Sequence, residues 1–204
     1  MQPDKRISLP KEANNVPKTK GGTYAFFFHF PNDIELGLSG DAIDIHRCIL
    51  AIKHRLNRIQ EATERLSVYN GRITNGASAL HLRQEYDFRT TSTNLWNCSS
   101  VIDSIFIARR PDIARVKELS SLIRHWFSSS PPVYIGMTVE QSFHSRLLQH
   151  LNYTTGFGKA VSDSGLTWAY FNYQYRAHQI NDSEMTRNVE KLMQGIFKPP
   201  FSKA

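Results

Sequence analysis

Tyr134, Arg146, His150 and Glu190 bring a phenol, a guanidinium, an imidazole and a carboxylate into the C-terminal third of the chain. Such a set suits phosphodiester cleavage. The carboxylate holds a divalent cation, the guanidinium neutralises charge growing on the phosphate, and a phenol or imidazole moves a proton from the attacking water. Arg146 and His150 are four residues apart, so on a helix they share one face. Plainer explanations stand beside this one: His150 as a surface histidine, Arg-x-x-x-His as a solvated helix face, and Glu184 competing with Glu190 as the carboxylate. The elements that carry them therefore matter.

Tyr134 lies in Val133-Tyr134-Ile135-Gly136, a short apolar run that reads as a strand after Pro131-Pro132. A helix is predicted from about Val139 to Leu151, with Phe143, Leu147, Leu148 and Leu151 as its apolar side, and it carries Arg146 and His150. Leu166 to Tyr173 alternates like a strand. Asn181-Asp182-Ser183 offers N-caps for a last helix, which carries Glu190, runs towards Phe197 and stops before Pro199-Pro200. Upstream, Gly21-Gly22 precedes the aromatic run Thr23 to Phe30, a strand predicted to be covered on both faces. Two further helices are expected. One covers residues 41–69, with Asp41 as N-cap and Ile45, Ile49, Ile52, Leu56, Ile59, Thr63 and Leu66 on one stripe. The other starts near Pro111 and keeps Ile113, Val116, Leu119, Ile123 and Trp126 on one side. Residues 71–104 read as loops around short elements.

The chain has 204 residues, of which 40% are hydrophobic, enough for a core. Its length admits one domain, or one domain with a large insertion. No apolar run approaches the ~20 residues of a membrane helix. Residues 1–20 hold no apolar stretch, so no secretory signal is expected and the setting reads as intracellular, cytoplasmic or nucleoid-associated. Cys48 and Cys98 form no CxxC pair, which excludes a zinc ribbon and a disulfide scaffold and fits a reducing compartment. The formal charge of +7 favours an anionic partner, nucleic acid first. Residues 1–20, with Lys5, Arg6, Lys11, Lys18, Lys20 and three prolines, read as a flexible basic tail.

In their order along the chain these pieces resemble the GIY-YIG nuclease superfamily. Gly22-Thr23-Tyr24 resembles its first motif, Gly-x-Tyr on the first strand, and Tyr134-Ile135-Gly136 matches the second, Tyr-Ile-Gly. Arg146-Leu147-Leu148-Gln149-His150 resembles the family's Arg-x-x-x-His. Glu190, followed by Lys198-Pro199, Phe201 and Ser202, resembles its closing motif. The resemblance covers residues 21–30 and 131–204. It implies an α/β fold: a small core of an antiparallel three-stranded sheet flanked by helices, with a helical insertion at residues 31–130. It also implies a DNA endonuclease using one Mg²⁺ (or Mn²⁺) per active site. Tyr24 and Tyr134 would be the water-activating or phosphate-contacting phenols and Arg146 the transition-state clamp. His150 would be a proton-transfer or phosphate-contacting group, and Glu190 the single metal ligand, with Gly136 and Ser202 in support.

The chain departs from the family pattern in three places. The two tyrosine motifs usually sit on neighbouring hairpin strands close in sequence, whereas here residues 31–130 separate them. Either that segment is inserted in the hairpin, the reading preferred here, or another strand supplies the first motif. Ser202 replaces the family's closing Asn, and Met137-Thr138 follows the second motif. Within the middle segment Arg47, Lys53, Arg55 and Arg58, then Arg109 and Arg110, are expected to lie on phosphates, as is Lys198 in the core. The alternative is a solvated helical subdomain. The reading is a site-specific enzyme of restriction or mobile-element type. A structure-specific repair or phage nuclease is the nearest rival, and a non-cleaving binder on a degraded nuclease fold is the alternative from another class. One such site cuts one strand, so duplex cleavage needs a homodimer or two sequential events.

Overall fold

The computed structural model describes residues 6–71, 98–107, 111–177, 183–197, 199 and 201, and for 64–71 the backbone alone. The chain divides into two compact units, one of residues 1–29 with 127–204 and one of residues 30–126. No helix among the described residues is long and apolar enough to cross a membrane.

The first unit is α/β. Its strands are β1 (Ile7–Ser8), β2 (Lys20–Phe28), β3 (Tyr134–Ser142) and β4 (Phe171–Ala177). They form one four-stranded antiparallel sheet in the order β1-β4-β2-β3. The sequence predicts three strands; the additional one is β1, in the segment expected to be a free tail. Ile7 and Ser8 pair with Tyr173 and Asn172. Ile7, Leu9, Ala13 and Val16 are buried. Arg6 places its guanidinium 3.8 Å over the Phe27 ring and donates to the Phe127 carbonyl. The few apolar residues between the prolines and lysines are enough to dock residues 6–16: Ile7 pairs with Tyr173, Leu9 donates its N–H to the Phe171 carbonyl, and Ala13 and Val16 are buried.

The register sets which side chains meet. Tyr24 lies opposite Gly136 on one side and Tyr175 on the other; Phe26 lies opposite Tyr134 and Tyr173. Directly opposed residues in antiparallel strands share a face. Tyr24, Phe26, Tyr134, Gly136, Tyr173 and Tyr175 therefore line one side of the sheet. Gly22 sits where a Cβ would come within 2.2 Å of the Arg176 carbonyl oxygen and 2.6 Å of Phe143 Cζ, so the chain has no room there for a side chain.

Strand β3 continues to Ser142, where the sequence predicts helix from Val139. Pairing of Ser142 with Lys20 holds these residues extended. Helix α4, Phe143–Leu151, starts only where Ser142 Oγ accepts the Ser145 N–H as an N-cap. Its first N–H groups, on Phe143 and His144, donate to the carbonyls of Thr19 and Pro17, which satisfies donors a helix start leaves open. A helix the sequence did not suggest, α5 (Gly156–Asp163), follows, with Thr155 as N-cap. The strand predicted over Leu166 to Tyr173 is displaced: Trp168–Tyr170 is a 3₁₀ turn and β4 starts at Phe171. Helix α6 spans Ser183–Phe197.

The core of this unit is aromatic. Phe26, Phe143, Leu147, Phe157, Val161, Trp168, Phe171, Tyr173 and Phe201 are all buried. Phe26 is its hub, with ring centroids 4.7 Å from Phe157, 5.1 Å from Tyr173 and 5.3 Å from His150. Truncating such a residue to alanine costs about 3–5 kcal/mol. Near the end of the chain Phe201 donates its N–H to the Val133 carbonyl and packs on Phe157.

The second unit is helical. It contains α1 (Ile45–Gly71), α2 (Cys98–Ile107) and α3 (Ile113–Ser128), the last two residues of α3 belonging to the first unit. Asp44, rather than Asp41, caps α1, its Oδ1 accepting the Arg47 N–H at 3.0 Å. Asp112 does the same for α3, accepting from Arg115 at 2.9 Å. The buried residues of α1 are Cys48, Ile49, Ile52, Arg55, Ile59 and Ala62; Ile49, Ile52 and Ile59 belong to the predicted stripe, whose centre is turned towards Cys48, Arg55 and Ala62, and Thr63 is exposed. In α3 the inward residues are Val116 and Ser120, while Trp126, expected on the apolar side, is 73% exposed.

Candidate active site

The face of the sheet that carries Tyr24 is covered by α4, and the local sequence of α4 explains how. Phe143, Leu147 and His150 follow at spacings of four and three, so all three point inward, and all three are fully buried. Arg146 is one residue off that line and only half-buried. The same helix thus inserts an imidazole into the core and holds a guanidinium at its margin.

The Tyr24 hydroxyl is where the two meet. It lies 2.8 Å from His150 Nε2 and accepts the Arg146 Nε–H at 3.2 Å. Arg146 also donates from Nη1 to Gln149 Oε1 at 2.8 Å, which restrains the fork on its far side. On the other side of the imidazole, His150 Nδ1 lies 2.7 Å from Thr155 Oγ1. Gly136 makes this possible: a Cβ there would fall 2.5 Å from the Tyr24 hydroxyl and 2.9 Å from the Tyr134 ring. Tyr134 stacks on Phe157 with centroids 4.2 Å apart and planes 9° from parallel, which fixes its ring next to Tyr24.

Glu190, on α6, reaches the same place from the β3 side. Gln194 Nε2 donates to Glu190 Oε1 at 3.2 Å and to the Ile135 carbonyl at 3.0 Å, the residue between Tyr134 and Gly136. Glu190 feels the Arg146 cation, and Tyr134 feels both Glu190 and Arg146. Tyr24, Tyr134, Arg146, His150 and Glu190 therefore converge, with Gly136 beneath them, and all belong to the first unit.

Charge in this cluster is set mainly by burial. Burial pushes the Tyr24 hydroxyl far above the usual phenol range; Tyr134 adds to this and Arg146 opposes it. Tyr134 is raised too, first by burial and also by Glu190, against the pull of Arg146 and Tyr24. His150 is pushed down to about 3, chiefly by burial and then by the Arg146 cation, so it is neutral near pH 7. Burial raises Glu190, with Arg146 and Lys191 opposing. Two neutral phenols, a neutral imidazole, a cation and one carboxylate thus meet in a partly buried cluster.

Among the described residues there is no group of three or more His, Cys, Asp or Glu side chains that could hold a metal ion. The donor set at the cluster is a single carboxylate, Glu190. That fits a hard, strongly hydrated cation such as Mg²⁺ or Mn²⁺, which keeps several waters and takes one or two carboxylates. It does not resemble the nitrogen and sulfur set of a structural zinc.

The residues expected to contact phosphates fare differently. Arg47 is exposed at the start of α1. Lys53 is ion-paired with Asp103, and Arg58 with Glu61 at 3.4 Å. Arg55 is 8% exposed on the buried line of α1, so its assignment to a phosphate-facing surface is withdrawn. Arg109, Arg110, Lys198 and Ser202 lie outside the described residues. Four residues of the cluster were not foreseen: Gln149, Thr155, Phe157 and Gln194. Gln149 and Gln194 had a readable signal, three residues after Arg146 and four after Glu190. Thr155 and Phe157 had none, because Thr154-Thr155-Gly156-Phe157-Gly158 reads as a loop.

No family model matches the chain, and neither a curated protein nor a solved structure matches it significantly.

Proposed function

We propose that the first unit is a Mg²⁺-dependent phosphodiesterase of GIY-YIG type and that the chain is a DNA endonuclease. The observation that carries this reading is the convergence of Tyr24, Tyr134, Arg146, His150 and Glu190 from two strands and two helices. The net charge of +7 supports a nucleic-acid substrate.

In this reading Arg146 meets the scissile phosphate. Its Nε–H is held by Tyr24 and its Nη1 by Gln149, so the guanidinium is fixed before substrate arrives and does not reorganise during the reaction. The attacking water gives its proton to Tyr134, the phenol that is only half-buried, as Tyr134 passes its own proton to the Tyr24 hydroxyl and Tyr24 passes one to His150 Nε2, 2.8 Å away. Water oxygen bonds to phosphorus, the bond to the leaving oxygen breaks, and solvent protonates the leaving group. A bound phosphate also offsets the Arg146 charge that helps keep His150 neutral, which makes the imidazole a better acceptor once substrate is present. Tyr134 lines the same surface and orients the water or a phosphate oxygen. Glu190 would hold the cation; when bound, the cation supplies Lewis-acid neutralisation of the phosphate.

We assign sequence discrimination to residues 30–126, with the exposed Arg47 as a phosphate contact on α1. Cleavage would be site-specific, and cutting both strands takes two copies or two successive events. The test is incubation of the purified chain with supercoiled plasmid and Mg²⁺. Discrete bands support a site-specific enzyme, and a smear supports a nuclease without that selectivity. Plasmid that is bound but left intact supports a binder on a nuclease-like fold.

A further inference from the structure

Thr155 carries an inference that rests on this reading of the site and deepens it. Its hydroxyl does two things. It accepts the Gly158 N–H at 2.9 Å as the N-cap of α5, and it meets His150 Nδ1 at 2.7 Å. The turn that brings it there is sterically committed. Tyr153 adopts a positive φ of 57°. At Gly158 a Cβ would fall 2.7 Å from the His150 carbonyl oxygen and 2.9 Å from Tyr153 Cα. The turn from α4 to α5 is thus folded tightly back on His150, with Thr155 at its tip.

A neutral imidazole has one N–H and one lone pair, and the partner of one nitrogen decides the role of the other. The Tyr24 hydroxyl accepts a hydrogen bond from Arg146 Nε–H. The same hydroxyl shares a hydrogen bond with the Tyr134 hydroxyl; with Tyr134 as the donor of that bond, the O–H of Tyr24 goes to His150 Nε2. That requires the imidazole proton on Nδ1, and the atom facing Nδ1 is Thr155 Oγ1. Thr155 is only half-buried, so solvent can accept its own O–H while its oxygen accepts from both Gly158 and His150. We propose that Thr155 is a positioning residue whose hydroxyl fixes His150 as the Nδ1–H tautomer and so keeps Nε2 open to the Tyr24 proton. With Thr155 replaced by valine, a buried Nδ1–H would have no acceptor. The imidazole proton then moves to Nε2, where it faces the oxygen it is meant to receive from.

The tautomer can be read directly, without any cleavage assay. Full-length protein labelled with ¹⁵N-histidine is examined at pH 7.5 by ring ¹H–¹⁵N multiple-bond correlation. The His150 signals are identified among the 8 histidines by their loss in His150→Gln. The expected wild-type pattern is a protonated Nδ1 and an unprotonated Nε2. Thr155→Ser should keep it, and Thr155→Val should change it to the Nε2–H form. In single-turnover cleavage Thr155→Val should then fall on the order of a hundredfold, the scale of general acid–base catalysis, and Thr155→Ser should recover most of the rate. A wild-type His150 protonated at Nε2 overturns the proposal, and so does Thr155→Val that folds and retains Nδ1–H. If Thr155→Val fails to fold because the α5 cap is lost, the wild-type spectrum and the serine variant still decide. If wild type shows the Nδ1–H form but cuts no DNA, the role of Thr155 stands and the nuclease reading is what fails.

Discussion

The Tyr24 hydroxyl occupies the space that a side chain at Gly136 would fill, 2.5 Å from where its Cβ would sit. The glycine of the second short motif is therefore a hole into which the tyrosine of the first one fits. Gly136→Ala should overpack this contact and cost about 1–3 kcal/mol of stability. It should also push the hydroxyl away from His150. Urea denaturation measures the first effect, and an alanine variant as stable as wild type would mean that Tyr24 does not lie over residue 136.

Arg146 donates to Tyr24 through Nε and to Gln149 through Nη1. A lysine keeps the charge and loses that fork. Arg146→Lys should lower the single-turnover cleavage rate on the order of a hundredfold, as for a lost oxyanion-hole donor. DNA affinity at the same salt should change much less, since other cations share the ground-state phosphate contacts. Weaker binding with an unchanged rate would reduce Arg146 to a docking residue.

Burial of His150 should give the fold a pH dependence. Its folded pKa is depressed to about 3, below the ~6.5 of an unfolded histidine. Above pH 6.5 neither state holds the extra proton, and the stability of the neutral buried ring is fully present. As pH falls from 6.5 towards 3 the unfolded chain takes a proton that the folded chain refuses. Stability then drops by up to about 1.4 kcal/mol per pH unit from this group. Thermal midpoints from pH 7.5 to 5 should therefore fall more steeply for wild type than for His150→Gln. Parallel slopes would show that His150 is not held neutral in the folded state.

Much of the cluster was legible because its parts follow short-range rules. The Gly-flanked aromatic strand, the run Tyr134-Ile135-Gly136, and the four-residue step from Arg146 to His150 each declare a strand or a helix face. What the sequence hid depends on long-range partners. Ile7 and Ser8 make a strand only because β4 offers an edge to pair with. Val139 to Ser142 have helix-compatible residues, yet pairing with β2 holds them extended. Gly156 and Gly158 disguise α5 as a loop, and with it the hydroxyl that faces His150. Arg55 was misplaced by one step of helix rotation. Arg55 and Leu56 lie about 100° apart, on opposite flanks of the line through Ile52 and Ile59, and packing, not charge, selects the Arg55 flank. The pairing of Tyr24 with Gly136 could not be derived from composition or spacing, since residues 31–130 stand between the two motifs.

In the proposed reading Glu190, which feels the Arg146 charge, is the one carboxylate that would hold the cation for phosphodiester cleavage. Glu190 is anchored through Gln194 to the Ile135 carbonyl, and Thr186 on the same helix is buried, so removing the carboxylate should leave the fold in place. The most direct measurement compares wild type and Glu190→Ala in single-turnover cleavage of DNA with Mg²⁺, beside a binding titration at the same salt. The account predicts that wild type cuts, that Glu190→Ala does not cut detectably, and that both bind DNA with similar affinity. Cleavage by Glu190→Ala at the wild-type rate would contradict it.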